Sequence, residues 1–317
     1  EFYSNIRITP NLTEIMLLNM VSPADVDKLY EKGELDTSYS VDGVGRYRLG
    51  VTIQRSSIAI SIRGVPRTSP TSEELNLPPD FVKYAVTQSK GLSLIVGEPN
   101  SGKTSTFNCL IDAINENVGG IIFLMGNPIE FTHRHKKSLV LQVEIGKDLP
   151  SYTQGIAKSL RMNTSVLGFE ELRTKDEFAA LGAIINSPIS TFMTMHSISC
   201  RKAIENLVDR MVESGVSQAK ALEDVANALN MVIYQRLIDY KGTRVLIYEK
   251  IIATTAIKNV IRHGNFNQLE HTIASDAKCE SMDRVILDRL DRKMVDFASV
   301  EAYITDKKLF EMRGYGK

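Results

Sequence analysis

The chain has 317 residues, room for one large domain or two ordinary ones, and its 43% hydrophobic and 24% charged content is that of an ordinary globular protein. Acids and bases balance at 38 each, so net charge gives no reason to expect nucleic acid or an anionic membrane as the main partner. Cys109, Cys200 and Cys279 are far apart with no CxxC pair, which argues against a zinc ribbon or a redox motif and fits a reducing compartment. No apolar run approaches the roughly 20 residues of a membrane span, and no signal peptide is visible.

The chain opens Glu1-Phe2 without a methionine, as a cloning remnant on a trimmed N-terminal block would. Residues 14–19 and 24–32 read as short helices. "RYRLGVTIQRSSIAISIRGVP", 46–66, has the β-branched, alternating stretches of an antiparallel hairpin. "RTSPTSEELNLPPD", 67–80, carries three prolines and several Ser and Thr residues and reads as a linker. From residue 81 onward the pattern is α/β. "LSLIV" (92–96) is a strand of buried type, and 102–116 is a helix with Phe107, Leu110, Ile111 and Ile114 on one face. "GIIFLM" (120–125) and "LVLQV" (139–143) are further strands. A helix at 152–161, a strand at "SVLGF" (165–169), a helix at 174–186 and a strand at "TFMTMH" (191–196) follow. This alternation implies a mostly parallel sheet. From about residue 201 the pattern turns helical: "RKAIENLVDRM", "QAKALEDVANALNMVIYQRL" and "MDRVILDRLDRK", interrupted by one strand, "RVLIYEKI" (244–251). The expected organisation is a small α+β block at 1–66, a linker at 67–80 and an α/β domain at 81–317.

"GEPNSGKTST" joins the first of these α/β strands to its helix and matches GxxxxGK[ST]. Glycines at 97 and 102 let the backbone of Gly97, Glu98, Pro99, Asn100, Ser101 and Gly102 curl so that successive N–H groups face one anion. The helix that begins there adds its positive end. Lys103 would reach the β- and γ-phosphates of ATP, and the hydroxyl of Thr104, followed by Ser105, would ligate Mg²⁺.

A phosphate loop alone only binds; hydrolysis needs a carboxylate that orients or activates water. Such groups belong at the C-terminal ends of neighbouring strands, where open α/β sheets bind ligands. Glu130 follows one strand, Glu170 and Glu171 a second, and His196 a third. Each has a plain structural alternative: a surface acid, a helix start favoured by the dipole, a hydrogen-bonded histidine. Three polar sites at three strand ends beside one phosphate loop favour the functional reading. Cys109, Cys200, Met193 and Met195 read as core, and His133 and His135 as a solvated loop without metal.

At these residues the chain resembles the PilT-type ATPases of the secretion ATPase superfamily, which power type IV pili and related secretion machines. "GEPNSGKTST" stands at the family's Walker A loop, "GNPIEF" (126–131) at its Asp box, "NTSVLGFEELRT" (163–174) at its Walker B region, "TMHS" (194–197) at its His box, and "AIKNVIR" (256–262) at the helix associated with retraction motors. The resemblance implies a RecA-like ATPase domain behind a PAS-like N-terminal domain. It implies Glu171 as catalytic glutamate, His196 as the His-box residue, Glu130 as the surviving Asp-box acid, and Arg46, Arg48 and Arg63 near the arginines that reach the γ-phosphate. It also implies a homohexameric ring, cytoplasmic and peripheral at the inner membrane, acting on a pilus platform protein or alongside a partner motor ATPase, with 67–80 as hinge. The departures are Gly126 and Asn127 for two acids, Asn163 and Ser165 for aspartates, Glu170 for a glycine and Thr174 for an aspartate. Pilus retraction is the leading expectation. A conjugation or secretion ATPase, and a nucleotide-binding accessory subunit of weak turnover, stand beside it.

Overall fold

The computed structural model describes residues 7–66 and 68–316. Glu1, Phe2 and Arg67 of the expected linker lie outside the described residues. The chain forms two compact units: Glu1–Thr68 with Gly126–His133, and Ser69–Met125 with Arg134–Lys317.

In the first unit, helices α1 (Pro10–Met20) and α2 (Pro23–Lys32) each start with proline behind a hydroxyl cap. Thr9 and Ser22 accept from the N–H of Leu12 and Asp25, and proline at the first helical position gives up no needed donor. Gly33, at φ +78°, ends α2 in the left-handed conformation that a helix C-terminus favours. Strands β1 (Glu34–Val41), β2 (Gly45–Gln54) and β3 (Ser57–Val65) form an antiparallel sheet in that order. Arg55 and Ser56 make the two-residue turn between β2 and β3 with φ of +46° and +59°, as the right-handed twist of the strands requires. Leu17, Leu29, Leu35, Leu49 and Val51 form the core of this unit. The hairpin lies where the sequence places it. Strand β1, "ELDTSYSV", has too few large apolar residues to be seen by pattern alone.

The second unit opens with α3 (Pro79–Thr87), β4 (Gly91–Gly97) and α4 (Lys103–Asn117). Then come β5 (Gly120–Gly126), β6 (Ser138–Glu144), α5 (Tyr152–Arg161), β7 (Val166–Phe169), α6 (Lys175–Ile184) and β8 (Ser190–His196). Helices α7 (Cys200–Glu213) and α8 (Gln218–Ala228) lead to β9 (Leu229–Tyr240) and β10 (Thr243–Ile252). Helices α9 (Thr255–Arg262), α10 (Phe266–Ser275), α11 (Met282–Asp291), α12 (Phe297–Val300) and α13 (Lys307–Met312) close the chain. The sheet runs β10-β9-β4-β8-β7-β5-β6. β9, β4, β8, β7 and β5 are mutually parallel, and β10 returns antiparallel to β9. Every residue of β4 is buried, as befits a central strand of a covered parallel sheet. Phe107, Leu110, Ile111 and Ile114 of α4 are buried in the same core, as their spacing predicts.

Two boundaries differ from expectation. Helix α3 begins inside the predicted linker, because Pro79 and Asp80 suit a first helical turn. The run "QAKALEDVANALNMVIYQRL" is not one helix: it breaks at Leu229, and its second half is strand β9. The β-branched and aromatic residues of "MVIY" fit a pleated surface, and pairing with β4 and β10 overrides the helical continuation. No helix among the described residues is long and apolar enough to cross a membrane.

Candidate functional site

Strand β4 ends at Gly97 and α4 begins at Lys103, so the glycine-rich loop spans the strand-to-helix junction. A side chain at Gly97 would strike Ser101 Oγ and sit 2.6 Å from the Gln235 carbonyl. Gly102 has φ +86°, a conformation only glycine adopts freely. The Glu98 carbonyl accepts from Ser101 N–H (3.2 Å) and from Lys103 Nζ (2.8 Å), which folds the loop over its own lysine. Gln235 Nε2 on β9 donates to Ser101 O (2.8 Å) and braces the loop from behind. Thr104 and Ser105 are half-buried in the first turn of α4. Curled backbone, a helix N-terminus, a lysine and a threonine hydroxyl are the donor set that ATP phosphates and Mg²⁺ require, and these residues fit both.

His196 lies at the end of β8, one strand from the loop, in register with Gly97. Its Nδ1 is 3.3 Å from Gly97 O and 3.4 Å from Lys103 Nζ, and its Nε2 is 3.4 Å from Glu171 Oε1. Arg173 holds Glu171 Oε2 at 2.8 Å. Glu170, in the expected glycine position, donates its backbone N–H to Met125 O (3.1 Å), and Glu171 still reaches His196. Thr174 caps α6: it accepts from Glu177 N–H, while the Glu177 carboxylate accepts from Thr174 N–H, a capping box that explains threonine there. Asn163 and Ser165 stand before β7, at the strand end opposite Glu171.

The remaining candidates belong to the first unit. Arg48 on β2 is ion-paired with Glu130 at 2.9 Å. Arg46, on the same face of β2, donates to Ser38 Oγ at 2.8 Å. Arg63 stands directly opposite Arg48 in the β2–β3 ladder. Glu130 and the three arginines therefore share one unit, while the loop, Glu171 and His196 share the other.

Arg236 was not legible as a site residue, because it lies in the part of β9 that reads as helix. Its guanidinium pairs with Glu98 of the loop, and the run of β-branched and aromatic residues before "QR" is the signal that would have found it. Cys109, Cys200, Met193 and Met195 are buried, in keeping with core packing. His135 is exposed and its Nδ1 accepts from Val140 N–H (3.1 Å).

A parallel sheet with a lysine-bearing glycine loop at its centre, and a carboxylate–histidine contact at the adjoining strand ends, defines a phosphate-loop α/β protein. Within that class the chain belongs to the family described as type II/IV secretion system protein, whose model matches residues 73–286. It is 30% identical over 241 residues to the type IV pilus retractation ATPase PilT of Pseudomonas aeruginosa, covering 76% of this chain and 69% of that protein. It is 27% identical over 266 residues to the type IV pilus ATPase PilU of the same species, covering 83% of this chain and 69% of that one. The crystal structure of the pilus retraction motor PilT with bound ADP matches with a TM-score of 0.86 and 28% identity, over 96% of this chain and 86% of the other.

Proposed function

We propose that this protein is an ATP-hydrolysing motor that powers retraction of type IV pili. The observation that carries the reading is the contact of His196 with both the phosphate loop and Glu171, which sets a carboxylate at the strand end beside Lys103. Membership of the secretion family, and likeness to PilT with its bound ADP, support it.

In this reading Gly97 to Gly102 cradle the phosphates of ATP, Lys103 binds the β- and γ-phosphates, Ser105 adds to the nucleotide site, and the Thr104 hydroxyl would hold Mg²⁺. Bound there, Mg²⁺ would neutralise phosphate charge. Glu171 orients the attacking water, and His196 reports the state of the phosphate site to Glu171. Glu130, Arg46, Arg48 and Arg63 act from the first unit, a PAS-like domain at 1–66 joined by a hinge at 67–80 to a RecA-like domain at 81–317 whose part after about 201 is mainly helical. The working form is a homohexameric ring at the cytoplasmic face of the inner membrane, acting on the pilus platform protein. Gly126 and Asn127, uncharged where acids are expected, favour a second reading: an accessory subunit of weak turnover beside a partner motor ATPase.

Steady-state phosphate release measured together with native mass tests both. Release by a ring-sized species, lost in Lys103→Ala, supports the motor. Release no faster than that of Glu171→Gln supports the accessory subunit. Normal pilus retraction in cells carrying Lys103→Ala would remove the motor role.

A further inference from the structure

Glu98 puts a carboxylate on the loop that the proposed function assigns to phosphate. An ATP or ADP tail carries several negative charges, so an unpaired acid one residue beyond Gly97 opposes binding. The structure gives this acid a dedicated partner. Arg236 pairs with the Glu98 carboxylate at 2.5 Å. Arg236 is itself held in place: Nε donates to Tyr234 Oη, and the guanidinium carbon lies 4.8 Å from the centre of the Tyr303 ring. Tyr234 is opposite Val96 in the β4–β9 ladder, so Arg236, two residues further, emerges level with the loop. Tyr303 belongs to the C-terminal segment that follows α12. The backbone of Glu98 cannot easily turn away, because its carbonyl accepts from Lys103 and Ser101.

We propose that Arg236 is a positioning residue for nucleotide binding: by pairing with Glu98 it turns that carboxylate away from the phosphates and cancels its repulsion of them. This rests on the nucleotide reading above. It makes the phosphate affinity depend on the summed charge of the pair, +1, 0 or −1, rather than on either side chain alone.

The test is a charge ladder in the full chain, read as the Kd for a fluorescent ADP analogue at low salt. Glu98→Gln leaves the arginine alone and binds tightest. Wild type and the double variant Glu98→Gln/Arg236→Ala both carry zero and bind alike. Arg236→Ala leaves the acid alone and binds weakest. Each step is about threefold to tenfold at low ionic strength and contracts toward unity near 1 M salt, where charges are screened within about 3 Å. Arg236→Lys, which keeps the charge without the fork, stays near wild type. Thermal unfolding of each variant registers any loss of the Tyr234 and Tyr303 packing separately. The proposal is overturned if Arg236→Ala binds as wild type does, or if its defect persists when Glu98→Gln is added, which would make Arg236 a packing residue. Lys103→Ala separates the two levels. Undiminished binding in that variant removes the nucleotide reading, and this inference with it. Lost binding there with a flat ladder removes only the role of Arg236.

Discussion

His196 Nε2 stands 3.4 Å from Glu171 Oε1, while Arg173 holds the other oxygen of the same carboxylate at 2.8 Å. Glu171 is thus fixed between a strand-end histidine that touches the phosphate loop and a largely exposed arginine. Glu171→Gln keeps the size and one acceptor oxygen but loses the charge that the proposed motor would use to orient or activate water. Phosphate release is expected to fall by about 10²-fold or more, the scale of a lost general base, with nucleotide affinity within a fewfold of wild type. Release at the wild-type rate would remove Glu171 from the chemistry. A matching loss of affinity would instead place it in binding.

How far this site was legible follows from where each residue's signal lies. Lys103, Thr104 and the glycines announce themselves because one loop needs them at fixed spacing, and Glu171 and His196 because strand ends beside such a loop are few. Arg236 and Gln235 were hidden by a misread element. "NALNMVIYQRL" continues the apolar spacing of the helix before it, and only the vacant hydrogen-bonding edge of β4, far away in sequence, makes it a strand. β1 was missed for the complementary reason. Its apolar residues, Leu35, Tyr39 and Val41, are too sparse among polar ones to make a pattern, and it is a strand because β2 offers a full antiparallel register from Glu34 to Val41. Local pattern carries the alternation of strand and helix; partnership decides the strands whose own pattern reads as helix or is too sparse to read.

Two glycines make opposite predictions about stability. At Gly168 in β7 a methyl group would lie 2.5 Å from Leu124 Cδ2 and 2.8 Å from Phe107 Cζ, so α4 and β5 have closed over a position without a side chain. Gly168→Ala is expected to cost about 1–3 kcal/mol through overpacking. At Gly182 in α6 the nearest atom is Met211 Cε at 3.6 Å, an ordinary contact. Gly182→Ala should stabilise by about 0.5–1 kcal/mol, through helix propensity and a less flexible unfolded chain. Denaturant titration of both variants checks the pair, and a shift of the same sign in both would contradict it.

The three thiols should be silent in the folded protein. Cys109, Cys200 and Cys279 are 4%, 0% and 1% exposed. Burial, with the charges of Glu73, Asp112 and Glu116 nearby, pushes the Cys109 thiol up to about 12. Burial also raises Cys200, and the adjacent Glu249 adds to it. Thiolate is the reactive form, so an aromatic disulfide reagent at pH 8 is expected to titrate less than one equivalent before unfolding and three after it. Fast reaction of any one thiol in the native state would show that its core position opens.

Glu249 predicts the sign of a pH dependence. Its carboxylate on β10 accepts from Cys200 N–H at 2.9 Å, which favours the charged form, but burial outweighs this and Glu270 adds repulsion, so its pKa is raised above the ordinary carboxylate value. The folded protein therefore binds this proton more tightly than the unfolded chain does. Stability from this group is fully present below the unfolded-state pKa, about 4.3, and is lost as pH rises through the higher folded-state value. At neutral pH the charged carboxylate is a cost. Glu249→Gln retains an oxygen for the Cys200 N–H and removes that cost. Its melting temperature at pH 7 should exceed that of wild type, and the difference should shrink toward pH 4. A variant less stable than wild type at pH 7 would mean that the charge on Glu249 is held for its hydrogen bond to the start of α7, not tolerated in spite of its burial.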